Sequence, residues 1–98
     1  MNFGLPEHIL QAIIGILKNT DNITKAIIFG SRARGDFKYN SDIDIAIYYE
    51  GNLSPEFYLA LDEVSGIYKT DILDMNSSIS EKLRKSIEEQ GIEIYRKL

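Results

Sequence analysis

The chain has 98 residues, a formal net charge of −4 and an apolar fraction of 44%. That length allows one domain, residues 1–98, with a small core, and it leaves no room for a second substrate-binding domain. The acidic balance argues against strong direct nucleic-acid binding, which needs clustered lysine and arginine. Because cysteine is absent, disulfides, zinc–thiolate sites and thiol nucleophiles are excluded.

The sequence also bears on cellular location. The N-terminus lacks the charged region and apolar run of a secretory signal, and no stretch approaches the roughly 18 consecutive apolar residues of a membrane span. These features predict a soluble cytoplasmic protein with no membrane partner.

The first half of the chain predicts a helix, a buried strand and a short turn. Apolar residues recur at helical spacing through residues 9–17, and Pro6 suits the first turn of that helix. The expected inward residues are Ile9, Ala12, Ile13, Ile16 and Leu17. Residues 26–29 form a continuous apolar run, which is typical of a strand buried on both faces. Residues 31–35 predict a short helical turn, and residues 36–41 predict a polar loop.

A second strand and a second long helix follow. Residues 42–49 predict the strand, with three isoleucines on one face and two aspartates on the other. Ser54 and Pro55 suit the N-cap and the first turn of the helix. The inward stripe expected for this helix is Phe57, Leu61, Val64 and Tyr68.

The last third of the chain predicts a strand, a helix and a short final strand. Residues 71–75 read as the third strand. Ser78 and Glu81 have the spacing of a capping box for the last helix, and Gly91 ends it. The expected inward residues of this helix are Ile79, Leu83 and Ile87. Residues 92–95 predict the final strand.

The predicted element order is α-β-turn-β-α-β-α-β. With so few strands, this order favours an α/β domain of the two-layer α+β type. We expect a small mixed sheet with helices packed mainly on one face.

Gly30 and Ser31 stand where the first predicted strand meets its turn. Gly30 is either an ordinary turn glycine or a point where a phosphate approaches backbone N–H groups, with the Ser31 hydroxyl as a further donor. Arg32 and Arg34 flank the pair. They are either solvated surface arginines or side chains that neutralise phosphate.

Two aspartates open the second strand. Asp42 and Asp44 lie on one face of it, about 6.5 Å apart along the strand. Aspartate is disfavoured within strands, and the repulsion of this pair calls for a cation. Hard oxygen ligands at such spacing suit one or two Mg²⁺ ions that also bind substrate phosphates. Asp71 and Asp74 are candidates for a third carboxylate, and strand position alone gives even odds between them.

These residues form a recognisable motif. Gly30 and Ser31, ten further residues and then the pair Asp42 and Asp44 resemble the pattern of the nucleotidyltransferase superfamily, which includes DNA polymerase β and kanamycin nucleotidyltransferase. The resemblance extends over about residues 5–97. Within that superfamily the chain is most similar to the minimal nucleotidyltransferases (MNT proteins), which consist of a single domain.

The resemblance implies a palm-like fold and an activity. It selects Asp71 as the third acid, so that Asp42, Asp44 and Asp71 would be catalytic and would bind two Mg²⁺ ions. The nucleotide ATP would be bound by Gly30, Ser31, Arg32 and Arg34. Minimal members are similar to antitoxins of HEPN-domain ribonuclease toxins, and the implied reaction is transfer of AMP onto a tyrosine of the toxin. A hetero-oligomer with such a toxin is therefore expected.

Two alternatives stay open at this point. A non-catalytic antitoxin would neutralise its partner by binding alone. A small-molecule nucleotidyltransferase would take its substrate pocket from a separate subunit. Catalysis is favoured because a pure binder does not need the whole set Gly30, Ser31, Asp42, Asp44 and Asp71.

Overall fold

Four helices and four strands alternate along residues 2–98, the part of the chain that this computed structural model describes. The helices are α1 (Glu7–Lys18), α2 (Ser31–Arg34), α3 (Pro55–Val64) and α4 (Glu81–Gln90). The strands are β1 (Ile23–Phe29), β2 (Ile43–Tyr49), β3 (Thr70–Asp74) and β4 (Ile92–Arg96). Within residues 2–98, no helix has the length and hydropathy needed to cross a membrane.

The strands form one mixed sheet in the order β3-β2-β1-β4. Strand β1 is antiparallel to both β2 and β4, whereas β2 and β3 are parallel. As a result, the end of β1 and the beginnings of β2 and β3 meet at one edge of the sheet. That edge carries the residues that the sequence analysis singled out.

Both faces of the sheet are covered, one more extensively than the other. Helices α1 and α3 pack on the face that carries Ile43, Ile45 and Ile47, and these three side chains are completely buried. Burial of each contributes about 1.5–3 kcal/mol. Helix α4 lies on the opposite face, where Ile87 packs with Ile27 of β1 and others in a smaller cluster. The predicted small mixed sheet with helices packed mainly on one face is confirmed, and α4 adds one helix on the second face.

Local signals located most element boundaries. The Ser54 hydroxyl accepts a hydrogen bond from the Phe57 N–H at 3.4 Å, with proline at the first helical position of α3. The predicted capping box at Ser78 is wrong. Ser80 is the N-cap of α4, and its hydroxyl accepts from the Leu83 N–H at 3.2 Å.

Three predicted inward stripes need correction. In α3, Phe57 and Leu61 are buried as predicted, but Tyr68 lies beyond the end of the helix at Val64. In α1, Leu10 is buried while Ala12 and Ile16 are only partly so, because the stripe turns toward β4 as well as β1. In α4, only Ile87 is buried, and Leu83 remains 39% exposed. Helix α4 covers a short stretch of the sheet, so one buried turn suffices to hold it there.

Candidate active site

Three carboxylates gather at the sheet edge formed by the end of β1 and the beginnings of β2 and β3. In the register, Asp44 pairs with Phe29 of β1 on one side and with Asp71 of β3 on the other. Paired residues on neighbouring strands point to the same face, about 4.8 Å apart at the backbone. Asp42 lies just before β2, two residues from Asp44. The arrangement brings Asp42, Asp44 and Asp71 together.

Asp74 lies elsewhere. It has the opposite strand parity to Asp71 and therefore faces the other side of the sheet. Its carboxylate accepts hydrogen bonds from the Tyr49 hydroxyl and the Asn76 backbone N–H, both at 2.8 Å. These contacts tie Asp74 to the end of β2 and the turn after β3.

Charge repulsion is evident at Asp44. Partial burial raises the pKa of its carboxyl above the ordinary value of 3.8, and the negative charges of Asp71 and Asp42 raise it further. The positive charge of Arg34 acts in the opposite direction. The site therefore has an excess of negative charge that a cation would relieve.

The donor set fits Mg²⁺ in a particular way. Within residues 2–98, no three acidic, histidine or cysteine side chains converge closely enough to form a ready-made metal cage. Mg²⁺ is commonly held by one or two carboxylates, with substrate phosphates and water completing its octahedron. Neighbouring carboxylates that open to solvent, as Asp42 and Asp71 do, suit that mode of binding.

Position 30 requires glycine for two reasons: its backbone conformation, and the lack of room for a side chain. Its φ of 74° lies in the left-handed region, where a Cβ is strained. A Cβ placed there would also overlap the Oδ2 atom of Asp44. The backbone at the start of α2 therefore lies directly against a site carboxylate, with Ser31 as the next residue.

Arg32 is not available to a nucleotide, contrary to the sequence-based prediction. Its side chain is 1% exposed. The guanidinium donates to the carbonyls of Ser41 at 2.9 and 3.1 Å and of Phe3 at 3.0 Å. It also lies 5.2 and 5.3 Å from the ring centres of Phe37 and Tyr68. The contacts with Phe37 and Ser41 hold the loop that leads to Asp42, and those with Phe3 and Tyr68 tie this loop to the N-terminal segment and to the residues before β3, so this arginine has a structural role beside the site.

Arg34 is the arginine of this pair that lies near the carboxylates. Its side chain is exposed and pairs with Asp36 at 3.4 Å. Exposed ion pairs contribute only about 0–1 kcal/mol, so Arg34 can exchange this partner for a phosphate at small cost.

A cavity of about 250 Å³ adjoins Gly30 and Arg34. Its opposite wall comes from α4 and includes Ser86 and Gln90, which the sequence analysis missed. No spacing in the sequence points to them, because only the packing of α4 brings them near Gly30. A larger open groove of about 700 Å³ between α1 and β4 contains none of the predicted site residues.

Comparison with known proteins identifies the family. Residues 11–97 match the family described as "Polymerase beta, Nucleotidyltransferase". The chain belongs to this family. Two Methanocaldococcus jannaschii proteins named as candidate protein adenylyltransferases also resemble this nucleotidyltransferase. MJ1379 is 35% identical over 88% of this chain and 91% of its own length, and MJ1217 is 38% identical over 90% and 93%.

Solved structures agree with this assignment. The nucleotidyltransferase superposes on a toxin–antitoxin crystal structure containing AMP-PNP, with a TM-score of 0.73 and 27% identity over 90% of this chain and 73% of that one. A mutant of the toxin–antitoxin MntA–HpeT gives a TM-score of 0.71 and 25% identity over the same shares. The predictions of fold and of a minimal nucleotidyltransferase are confirmed.

Proposed function

We propose that this nucleotidyltransferase transfers AMP from ATP to a hydroxyl of a protein partner, a tyrosine of a HEPN-type toxin, and thereby acts as an antitoxin in the cytoplasm. The observation that carries the proposal is the meeting of Gly30, Asp44 and Asp71 at one sheet edge. Relatives named as candidate protein adenylyltransferases support it. So do structural neighbours that are toxin–antitoxin complexes, one with an ATP analogue.

Three residues would hold the triphosphate. The backbone at Gly30 permits close approach, the Ser31 hydroxyl donates a hydrogen bond, and Arg34 supplies positive charge. The adjoining cavity lies on the same side as Arg34, so the β- and γ-phosphates would lie toward it. In this placement the α-phosphorus would lie toward the carboxylates.

The carboxylates would organise the reaction. Asp42, Asp44 and Asp71 would hold Mg²⁺, which when bound neutralises phosphate charge and polarises the α-phosphorus. The acceptor oxygen forms a bond to that phosphorus as the bond to the bridging oxygen breaks and pyrophosphate leaves. Asp71 accepts the hydroxyl proton. Alignment and charge neutralisation supply most of the acceleration.

The openness of the site favours a protein acceptor. Asp42 and Asp71 are exposed, and no element within residues 2–98 closes over them. A partner could therefore bring its hydroxyl directly to the α-phosphorus. The pair would work as a hetero-oligomer.

The test is transfer to the co-expressed partner. The purified pair is incubated with Mg²⁺ and ATP, and intact mass is measured, with the Asp44→Asn variant as the control. We expect the partner to become heavier by one or more AMP groups when it is incubated with the wild type, and to keep its mass when it is incubated with the Asp44→Asn variant. An unmodified partner that still forms a tight complex would reject AMP transfer and establish an antitoxin that acts by binding.

A further inference from the structure

Two large apolar side chains beside the carboxylates are almost fully exposed. Tyr39 is 88% exposed and Ile67 is 94% exposed. Both line one shallow recess of about 150 Å³, together with Asn40, Ser41, Tyr68 and Lys69. We call it the Tyr39–Ile67 recess. Single exposed apolar residues are ordinary, but two that flank one concavity are typical of a contact surface.

The recess is continuous with the candidate active site. Ser41, in one wall, immediately precedes Asp42. Lys69, in the other wall, accepts a hydrogen bond at its carbonyl from the Ile43 N–H at 2.8 Å, and Asp71 follows two residues later. A segment that fills the recess is therefore next to the carboxylates.

Arg32 holds both walls in place. Its guanidinium donates to the Tyr39 carbonyl at 3.4 Å and to the Ser41 carbonyl at 2.9 Å. The same group lies against the ring of Tyr68 in the other wall. Because a buried side chain anchors the two walls, little ordering is needed when a partner binds.

Two positively charged residues lie at the recess, although the protein carries a net charge of −4: Lys69 lines it, and Lys38 immediately precedes Tyr39. Lys38 and Lys69 are both exposed there. Within residues 2–98, neither takes part in an ion pair, whereas the nearby Asp36 is paired with Arg34. Such a pair suits a ligand with negative charge, which the site carboxylates alone would repel.

We infer that the Tyr39–Ile67 recess is where the acceptor protein docks, and that it receives an apolar side chain from a segment with acidic residues close to the acceptor hydroxyl. This inference rests on the proposed function. A protein segment fits better than a small molecule, because the recess holds only about 150 Å³ and its two most exposed side chains, Tyr39 and Ile67, are large and apolar.

The apolar contact is tested with Tyr39→Ser and Ile67→Ser, and Leu59→Ser is the matched control. Leu59 is 65% exposed on α3 and lies outside the recess. AMP transfer to the co-expressed partner and calorimetric Mg·ATP affinity are both measured. We expect KM for the partner to rise about tenfold in each recess variant, which is about 1.4 kcal/mol. The control and the affinity for Mg·ATP should stay unchanged.

The charge contact is tested with Lys38→Glu and Lys69→Glu, with Lys82→Glu on α4 as the control. The two lysine variants at the recess should raise KM for the partner, and the control should not. If the wild type modifies its partner and the recess variants have normal KM, the inference is overturned while the proposed function stands. If the wild type binds Mg·ATP but modifies no partner, the proposed AMP transfer is rejected, and the inference that depends on it is rejected as well.

Discussion

At the scale of single residues, two neighbouring arginines have different tasks. Arg32 is buried and bonded to backbone carbonyls, whereas Arg34 is exposed near the carboxylates. Lysine cannot reproduce the forked hydrogen bonds of arginine, so Arg32→Lys leaves buried carbonyls unsatisfied. We expect a loss of about 2–3 kcal/mol in the free energy of unfolding.

Arg34→Ala provides the comparison. It should change stability by less than about 0.5 kcal/mol but weaken Mg·ATP binding. Denaturant unfolding and calorimetry on both variants measure the two effects. If the Arg32→Lys variant unfolds like the wild type yet binds Mg·ATP poorly, Arg32 would be a nucleotide-binding residue, as the sequence analysis predicted.

Gly30 and Gly35 form another informative pair. Both have positive φ, but a Cβ would meet Asp44 at Gly30 and open space at Gly35. Alanine should cost about 1–2 kcal/mol of stability through backbone strain at Gly35, and more at Gly30, where the Cβ also overlaps Asp44. Only Gly30→Ala should also weaken Mg·ATP binding, as measured by calorimetry. If the two variants bound Mg·ATP with equal affinity, the contact between Gly30 and Asp44 would have no effect on nucleotide binding.

Asp44 makes stability depend on pH. Its folded-state pKa is raised, so the folded protein binds this proton more tightly than the unfolded chain, and stability falls as the pH rises through that pKa. Asp44→Asn removes the unfavourable charge. The variant without nucleotide should melt higher than the wild type at pH 7, and the advantage should shrink as the pH falls toward 3.8. Melting curves across this range test it, and a constant difference would contradict it.

At the scale of elements, the parity of β3 separates two aspartates three residues apart. Asp71 pairs with Asp44, while Asp74 faces the other side and accepts from Tyr49 and Asn76. Asp71→Asn should abolish AMP transfer and leave stability intact. Asp74→Asn should retain transfer and lose about 1 kcal/mol from weaker hydrogen bonds.

Both variants are measured by transfer rate and by denaturant unfolding. The same comparison tests the register of β2 against β3, because a shift by one residue would exchange the faces of the sheet on which the two side chains lie. If Asp74→Asn were the inactive variant, the third carboxylate of the site would be Asp74.

At the scale of the whole molecule, the site is a sheet edge that joins three strands and faces solvent. Its carboxylates do not form a complete cage within residues 2–98. Mg²⁺ should therefore bind weakly alone and more tightly with ATP, since the phosphates supply the remaining ligands. Calorimetry of ATP binding with and without Mg²⁺ measures this coupling. Equal ATP affinity under the two conditions would contradict the proposed metal binding.

The sequence by itself determined the element order, the buried strands and the candidates Gly30, Asp42 and Asp44. Periodicity reports which face of each element is buried, and the two aspartates are close along one strand, so their shared direction follows from the pleat. The family motif rests on the same local spacing. These features need no knowledge of how distant segments meet.

The tertiary structure decided the rest. The register of β2 and β3 brings Asp71 beside Asp44, and the packing of α4 brings Ser86 and Gln90 to the cavity near Gly30. Arg32 turns inward because carbonyls from the N-terminal segment and from the loop before Asp42 converge on it. Most of these contacts join residues far apart in the chain, as Arg32 and Phe3 or Asp44 and Asp71 do. Local sequence patterns do not encode such contacts, because they depend on how the elements pack together.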